Sequence, residues 1–153
     1  MEPQFVSKPD MTLVGLKLHG KLEDMDLKSL WNEFGPRMAE LTTTANIAIC
    51  YGAMDHYSEA TGEFDYLAAC EGKSTAAVPS GMVSWKVPAQ TYAVFPCTLP
   101  KVGEAWMTAY QQWLPQSGYR RAAGPEFELY DEKFNPQDPA AVLYLCVPIV
   151  SVN

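Results

Sequence analysis

Two amphipathic helical patterns in this chain are each preceded by one strand-like run and followed by two. That repeated order limits the fold more than any other feature. Between about 26 and 42, Leu27, Leu30, Trp31, Phe34, Met38 and Leu41 recur at three- and four-residue steps behind Asp26, a suitable N-cap. The Gly35-Pro36 pair inside this pattern predicts a kink or a split. A second helix is predicted over 102–114. Strands are predicted over 11–20, 46–51 and 64–70, then over a linking segment at 82–87, and again over 90–97, 126–130 and 141–149. Leu27, Trp31 and Phe34 answer Val102, Trp106 and Tyr110, so the halves at about 11–72 and 82–150 read as a pseudo-repeat within one domain of 153 residues. The expected class is α+β: duplicated β-α-β-β units, with antiparallel curved sheets, two main helices on one face and a central ligand groove along the other.

Hydrophobic residues fill 48% of positions, enough for one core. The net charge of −7 repels polyanions, so direct contact with nucleic acid or an anionic membrane is not expected. No stretch approaches the ~20 uninterrupted apolar residues of a membrane helix. The N-terminus also lacks a basic segment followed by an apolar run, and a soluble, cytoplasmic chain is expected. Cys50, Cys70, Cys97 and Cys146 form no Cys-x-x-Cys pair and sit in apolar settings, as small buried hydrophobes do. Neither a metal nor a cofactor is expected. The sequence carries no Ser-His-Asp or Gly-rich nucleotide signature.

Strand side chains alternate between faces. In 126–130, Phe127 and Leu129 are apolar and are assigned beneath the helix, leaving Glu126, Glu128 and Tyr130 toward the groove. In 46–51, Ile47, Ile49 and Tyr51 take the helix side, and Ala48 and Cys50 face the groove. Tyr92, Trp85 and Tyr144 are further wall candidates, and Trp106 is either a wall or a core anchor. Trp31 and Trp113 read as core, and Tyr119 as closing a helix end. Aromatic walls around a few polar groups suit a small-molecule site, and a carboxylate among rings suits a cation. A solvated outer face is the equal alternative for Glu128 by spacing alone.

Four segments appear in order: Pro88-Ala89-Gln90-Thr91-Tyr92-Ala93-Val94-Phe95-Pro96, Trp113-Leu114-Pro115-Gln116-Ser117-Gly118-Tyr119, Pro125-Glu126-Phe127-Glu128-Leu129-Tyr130-Asp131 and Tyr144-Leu145-Cys146-Val147-Pro148-Ile149. Together with the opening run Val14-Gly15-Leu16-Lys17-Leu18-His19-Gly20, they resemble the GyrI-like, AraC-type effector-binding domain family over nearly the whole chain. The resemblance implies a central groove that takes amphipathic cations over a buried glutamate, which maps onto Glu128. Glu126, a second acid on the same face, leaves open which carboxylate is the key one. It also implies a stand-alone member without a basic DNA-reading helix; an exposed edge strand permits a homodimer, and the sequence predicts neither that nor a separate regulator. Three functions follow from the resemblance. The first is a binder of cationic drug-like compounds. The second is a hydrolase of strained cyclopropanoid compounds, with Glu128 and Tyr130 as its acid–base pair. The third is a gyrase-inhibitor-like interaction module. A tetrapyrrole-binding branch makes His19 and His56 worth weighing as axial ligands, but a strand end and a polar loop suit neither for that role.

Overall fold

The computed structural model describes residues 2–73 and 76–152. Its strands are β1 (Gln4–Lys8), β2 (Met11–Gly20), β3 (Ala45–Asp55), β4 (Phe64–Gly72), β5 (Val83–Val87), β6 (Gln90–Thr98), β7 (Tyr119–Arg121), β8 (Glu126–Tyr130) and β9 (Val142–Ser151). All of them join one antiparallel sheet in the order β1-β6-β9-β8-β3-β4-β2-β5, with β7 beside β9. From the central β8–β3 pair outward, β9 and β6 on one side answer β4 and β2 on the other. The strand ahead of each unit then pairs with the other unit: β1 with β6, and β5 with β2. The short strands β1 and β7 carry no alternation long enough to be predicted. They form because neighbouring β6 and β9 offer open edges.

Helix α1 spans Leu27–Arg37. Asp26 caps it by accepting from the Ser29 amide at 3.1 Å. Pro36 is accommodated in the last turn, and the chain continues as a 3-10 turn over Met38–Leu41, so the predicted break becomes a change of helix type. Helix α2 (Val102–Met107) widens into a π-type stretch over Thr108–Trp113 and closes with a 3-10 turn over Leu114–Gln116. The Trp-Leu-Pro-x-Ser-Gly-Tyr segment makes that closure. Ser117 Oγ donates to the Leu114 carbonyl at 2.8 Å, Gly118 turns the chain at φ +80°, and Tyr119 stacks on Trp113.

The sheet curls into a half-barrel and buries both faces. Leu13, Tyr51, Leu67, Val87, Tyr92 and Phe127, drawn from strands at both ends of the sheet order, meet in one cluster with no helical residue. This is the inside of the curl. Helix α1 covers Val14, Leu16, Tyr66, Ala68 and Cys70 on the outside, and α2 covers Phe95, Leu143, Leu145 and Val147. The assignment of Phe127 and Leu129 to the helix side is therefore reversed, since both pack inside the curl. Alternation tells which residues share a face. It does not tell which of two apolar faces the helices take.

Candidate ligand-binding site

Where α1 and α2 flank the middle of the sheet, three cross-strand rows lie side by side. Tyr130, Cys50, Cys70 and Val14 are successive Cα partners across β8, β3, β4 and β2. The next row is Glu128, Gly52, Ala68 and Leu16, and the third is Glu126, Met54, Tyr66 and Leu18. Glu128, Tyr130 and Glu126 do share a face, as alternation predicts, but it is the face the helices border.

Glu128 is 9% exposed. Its carboxylate accepts from the Trp106 indole Nε1 at 3.0 Å, the Tyr130 hydroxyl at 2.8 Å and the Tyr66 hydroxyl at 3.5 Å. The Tyr66 oxygen in turn accepts from Trp31 Nε1 at 3.1 Å. The two tryptophans that answer each other in the helical patterns thus both feed one carboxylate, Trp106 directly and Trp31 through Tyr66. Trp31 is therefore part of this cluster rather than a plain core anchor. Its ring meets Tyr130 edge-on, with centroids 5.8 Å apart, and Phe134 lies 4.9 Å beyond on the Tyr130 ring. Two surface grooves lie elsewhere, one beside Phe5, Trp113 and Tyr119, the other beside His19, Met25 and Glu33.

Burial raises the Glu128 pKa above its usual 4.5, against the opposing pull of its three donors. Burial and the nearby carboxylate also push the Tyr66 and Tyr130 phenols up, so both stay protonated and donate. Glu126 differs. It accepts from the Tyr110 hydroxyl, and the Arg121 guanidinium stands 3.8 Å away while also donating to the Tyr110 oxygen at 3.2 Å. Glu126 has an internal cation. Among the described residues, no Lys, Arg or His lies within ion-pair distance of Glu128.

Of the residues singled out by sequence, Glu128, Tyr130, Trp106 and Cys50 come together here. Ala48 does not. The β3–β4 register shifts between Asn46 and Cys50, and Ala48 is exposed within that irregularity. Tyr92, Trp85 and Tyr144 lie on the inner face: the Tyr92 ring packs on Phe127, Trp85 packs against the same cluster as the Cα partner of Leu13, and Tyr144 is the Cα partner of Leu129. Sequence reasoning missed Tyr66, Gly52 and Tyr110. Gly52 was the available signal, because a glycine inside a strand marks a close approach. His19 and His56 each give Nδ1 to Asp65, at 2.7 and 2.8 Å, on the opposite side of the sheet from Glu128.

A family model described as Cass2, integron-associated effector binding protein, matches residues 4–149. The transcriptional regulator BrlR of Pseudomonas aeruginosa is 34% identical over 152 residues, which cover 97% of this chain and 56% of BrlR. The chain thus spans about half the length of that relative. Among solved structures, SAV2435 bound to tetraphenylphosphonium superposes with a TM-score of 0.76 at 20% identity, over 98% of this chain and 94% of that one. An integron cassette protein from the mobile metagenome of Vibrio cholerae gives a TM-score of 0.70 at 19% identity, over 97% and 96% of the two chains. These two likenesses are likenesses of fold.

Proposed function

The chain belongs to the family of integron-associated effector binding proteins, and from that premise we propose that it takes amphipathic organic cations over Glu128, between α1 and α2. One observation carries this reading: Glu128 is buried among three neutral donors with no countercharge among the described residues, while Glu126 already has Arg121. Ionising such a carboxylate costs free energy. An entering cation supplies the missing charge, and each ring face it meets adds about 0.5–2 kcal/mol of cation–π attraction.

The rings beside the carboxylate must part for this. Trp31 and Tyr130, both tied to Glu128 by hydrogen bonds, Trp31 through Tyr66, touch ring to ring, so the bound state opens that contact and seats the ligand's apolar groups against the two rings. A lipophilic cation suits this better than a hydrated metal ion, because the exposed partners are aromatic faces rather than oxygen ligands. Since BrlR, of which the chain spans about half, is a transcriptional regulator, occupancy of this site is a signal for a separate DNA-reading element.

Tetraphenylphosphonium, the compound bound to SAV2435, is the probe. Calorimetry on the wild type and Glu128→Gln is expected to show a loss of about 1–3 kcal/mol in the variant, the scale of attraction between unit charges about 6 Å or more apart at an effective dielectric near 20. Neutral triphenylphosphine oxide loses far less. Equal phosphonium affinity for both proteins removes Glu128 from the site.

A further inference from the structure

We propose that Cys50 and Cys70 close a reversible cross-strand disulfide beneath the aromatic cluster, making this part of the sheet a thiol-oxidation site. The two residues are direct Cα partners in the antiparallel β3–β4 pair. Such partners stand about 4.5–5.5 Å apart, inside the roughly 4.4–6.8 Å that a disulfide spans. In-register partners project to one face. Both thiols accordingly join the same apolar cluster as Trp31 and Tyr66. Cys50 is the first β3 residue paired after the register shift, where an irregular strand has slack to adjust to a new bond. The other two thiols do not compete. Cys146 packs inside the curl, and Cys97 belongs to the cluster under α2.

The pair is also unequal. Cys70 is fully buried and Cys50 partly exposed, so an oxidant meets Cys50 first. A hydrogen bond from the Cys70 thiol holds the Cys50 thiol below its usual pKa, whereas Cys70 is pushed above its own. Cys50 is thus the attacking thiolate and Cys70 the resolving thiol. With a hydroperoxide as oxidant, the Cys50 sulfur attacks one peroxide oxygen and the O–O bond breaks. The departing oxygen takes up a proton and leaves as alcohol or water, and Cys50 becomes a sulfenic acid. The Cys70 sulfur then attacks the Cys50 sulfur. The S–S bond forms, the S–O bond breaks, and hydroxide leaves with the Cys70 proton as water. Two thiols lose two electrons in all, and one peroxide gains them. A dithiol reductant reverses the bond.

Cys50 is also the Cα partner of Tyr130, so a bond to Cys70 pulls on the strand that carries the Glu128 donor. Any effect on cation binding rests on the function proposed above. The disulfide itself does not.

The test treats the full chain with hydrogen peroxide and follows it by intact and peptide mass spectrometry without reductant. The expected result is a mass lower by two hydrogen atoms, a linked peptide joining Cys50 to Cys70, and return to the starting mass with dithiothreitol. In Cys70→Ser, dimedone labels Cys50 as a sulfenic acid. Oxidation of Cys50 to sulfinic acid with Cys70 still reduced overturns the proposal, and so does persistence of both thiols. A disulfide through Cys97 or Cys146 overturns it as well.

Discussion

Gly52 and Glu128 are Cα partners across β3 and β8, and a β-carbon on Gly52 would stand 3.0 Å from Glu128 Oε1 and inside the radius of the Tyr66 hydroxyl. The missing side chain is the space through which Tyr66, one row away, reaches the carboxylate. Gly52→Ala is therefore expected to cost about 1–3 kcal/mol, the range for overpacking a tight site. Adding Tyr66→Phe removes the clashing oxygen, and the double variant recovers part of the loss. Chemical denaturation of the four proteins in this cycle measures the coupling. Additive losses show that the two positions do not share the space.

The raised pKa of Glu128 has a consequence for stability. In the folded chain the carboxyl holds its proton at pH values where the unfolded chain, with its carboxyl near 4.5, has released it. Stability from this group is complete below 4.5 and is lost as pH rises through the folded value. Glu128→Gln is permanently neutral and close in shape. The variant is expected to melt higher than wild type at mildly alkaline pH and to lose that advantage in acid. A difference that does not vary with pH means burial does not shift the group.

The same linkage governs binding. A cation bound over Glu128 as proposed would select the ionised carboxylate, so phosphonium affinity is expected to rise with pH through the Glu128 titration. Trp106→Phe deletes a donor that favours the charged form, and the midpoint of that rise moves to higher pH. Trp31→Phe deletes a hydrogen bond that reaches Glu128 only through the Tyr66 oxygen, and moves the midpoint less. Calorimetry across a pH series distinguishes the two tryptophans, and identical midpoints would refute their different placement.

Much of this arrangement is legible in the residues. The helical periodicities, the Asp26 cap and the bounds of the Glu126–Tyr130 strand follow from spacing and capping chemistry. The choice of face does not. Phe127, Leu129, Ile49 and Tyr51 are as apolar as a helix-covered surface should be, yet a sheet curled on itself buries them without a helix. That one reversal also explains Tyr92, Trp85 and Tyr144, assigned to the groove with Glu128 and placed on the opposite face of the sheet. Ala48 was misplaced by a register shift that regular alternation does not contain. Tyr66 escaped notice because its contact with Glu128 is diagonal, across a glycine, and is not a matter of spacing within one strand.

Arg121 separates the roles of the two neighbouring acids. It stands 3.8 Å from Glu126, donates to Tyr110, and holds the Ala122 and Gly124 carbonyls at 2.9 and 3.0 Å. Arg121→Gln is expected to cost about 1–2 kcal/mol, a modest value because the pair is partly exposed. Glu126→Gln leaves phosphonium affinity near wild type, in contrast with Glu128→Gln. Thermal melts and calorimetry on the three variants check both statements, and a loss of affinity in Glu126→Gln equal to that in Glu128→Gln means the internal ion pair does not occupy Glu126.

The Tyr92 hydroxyl is the buried side-chain polar atom with no hydrogen-bond partner among the described residues. It sits inside the curl, 1% exposed, with its ring 5.0 Å from that of Phe127. A stranded hydroxyl costs about 1–3 kcal/mol of desolvation that no bond returns. Phenylalanine keeps the ring and its packing and removes the stranded atom. Tyr92→Phe is therefore expected to hold or raise stability, where removal of a working hydrogen bond lowers it. Because the ring lies on the far side of the sheet from Glu128, phosphonium affinity stays unchanged. Denaturant midpoints and calorimetry on one variant read both. A destabilised Tyr92→Phe reveals a partner for the hydroxyl, and weakened binding brings Tyr92 back to the ligand.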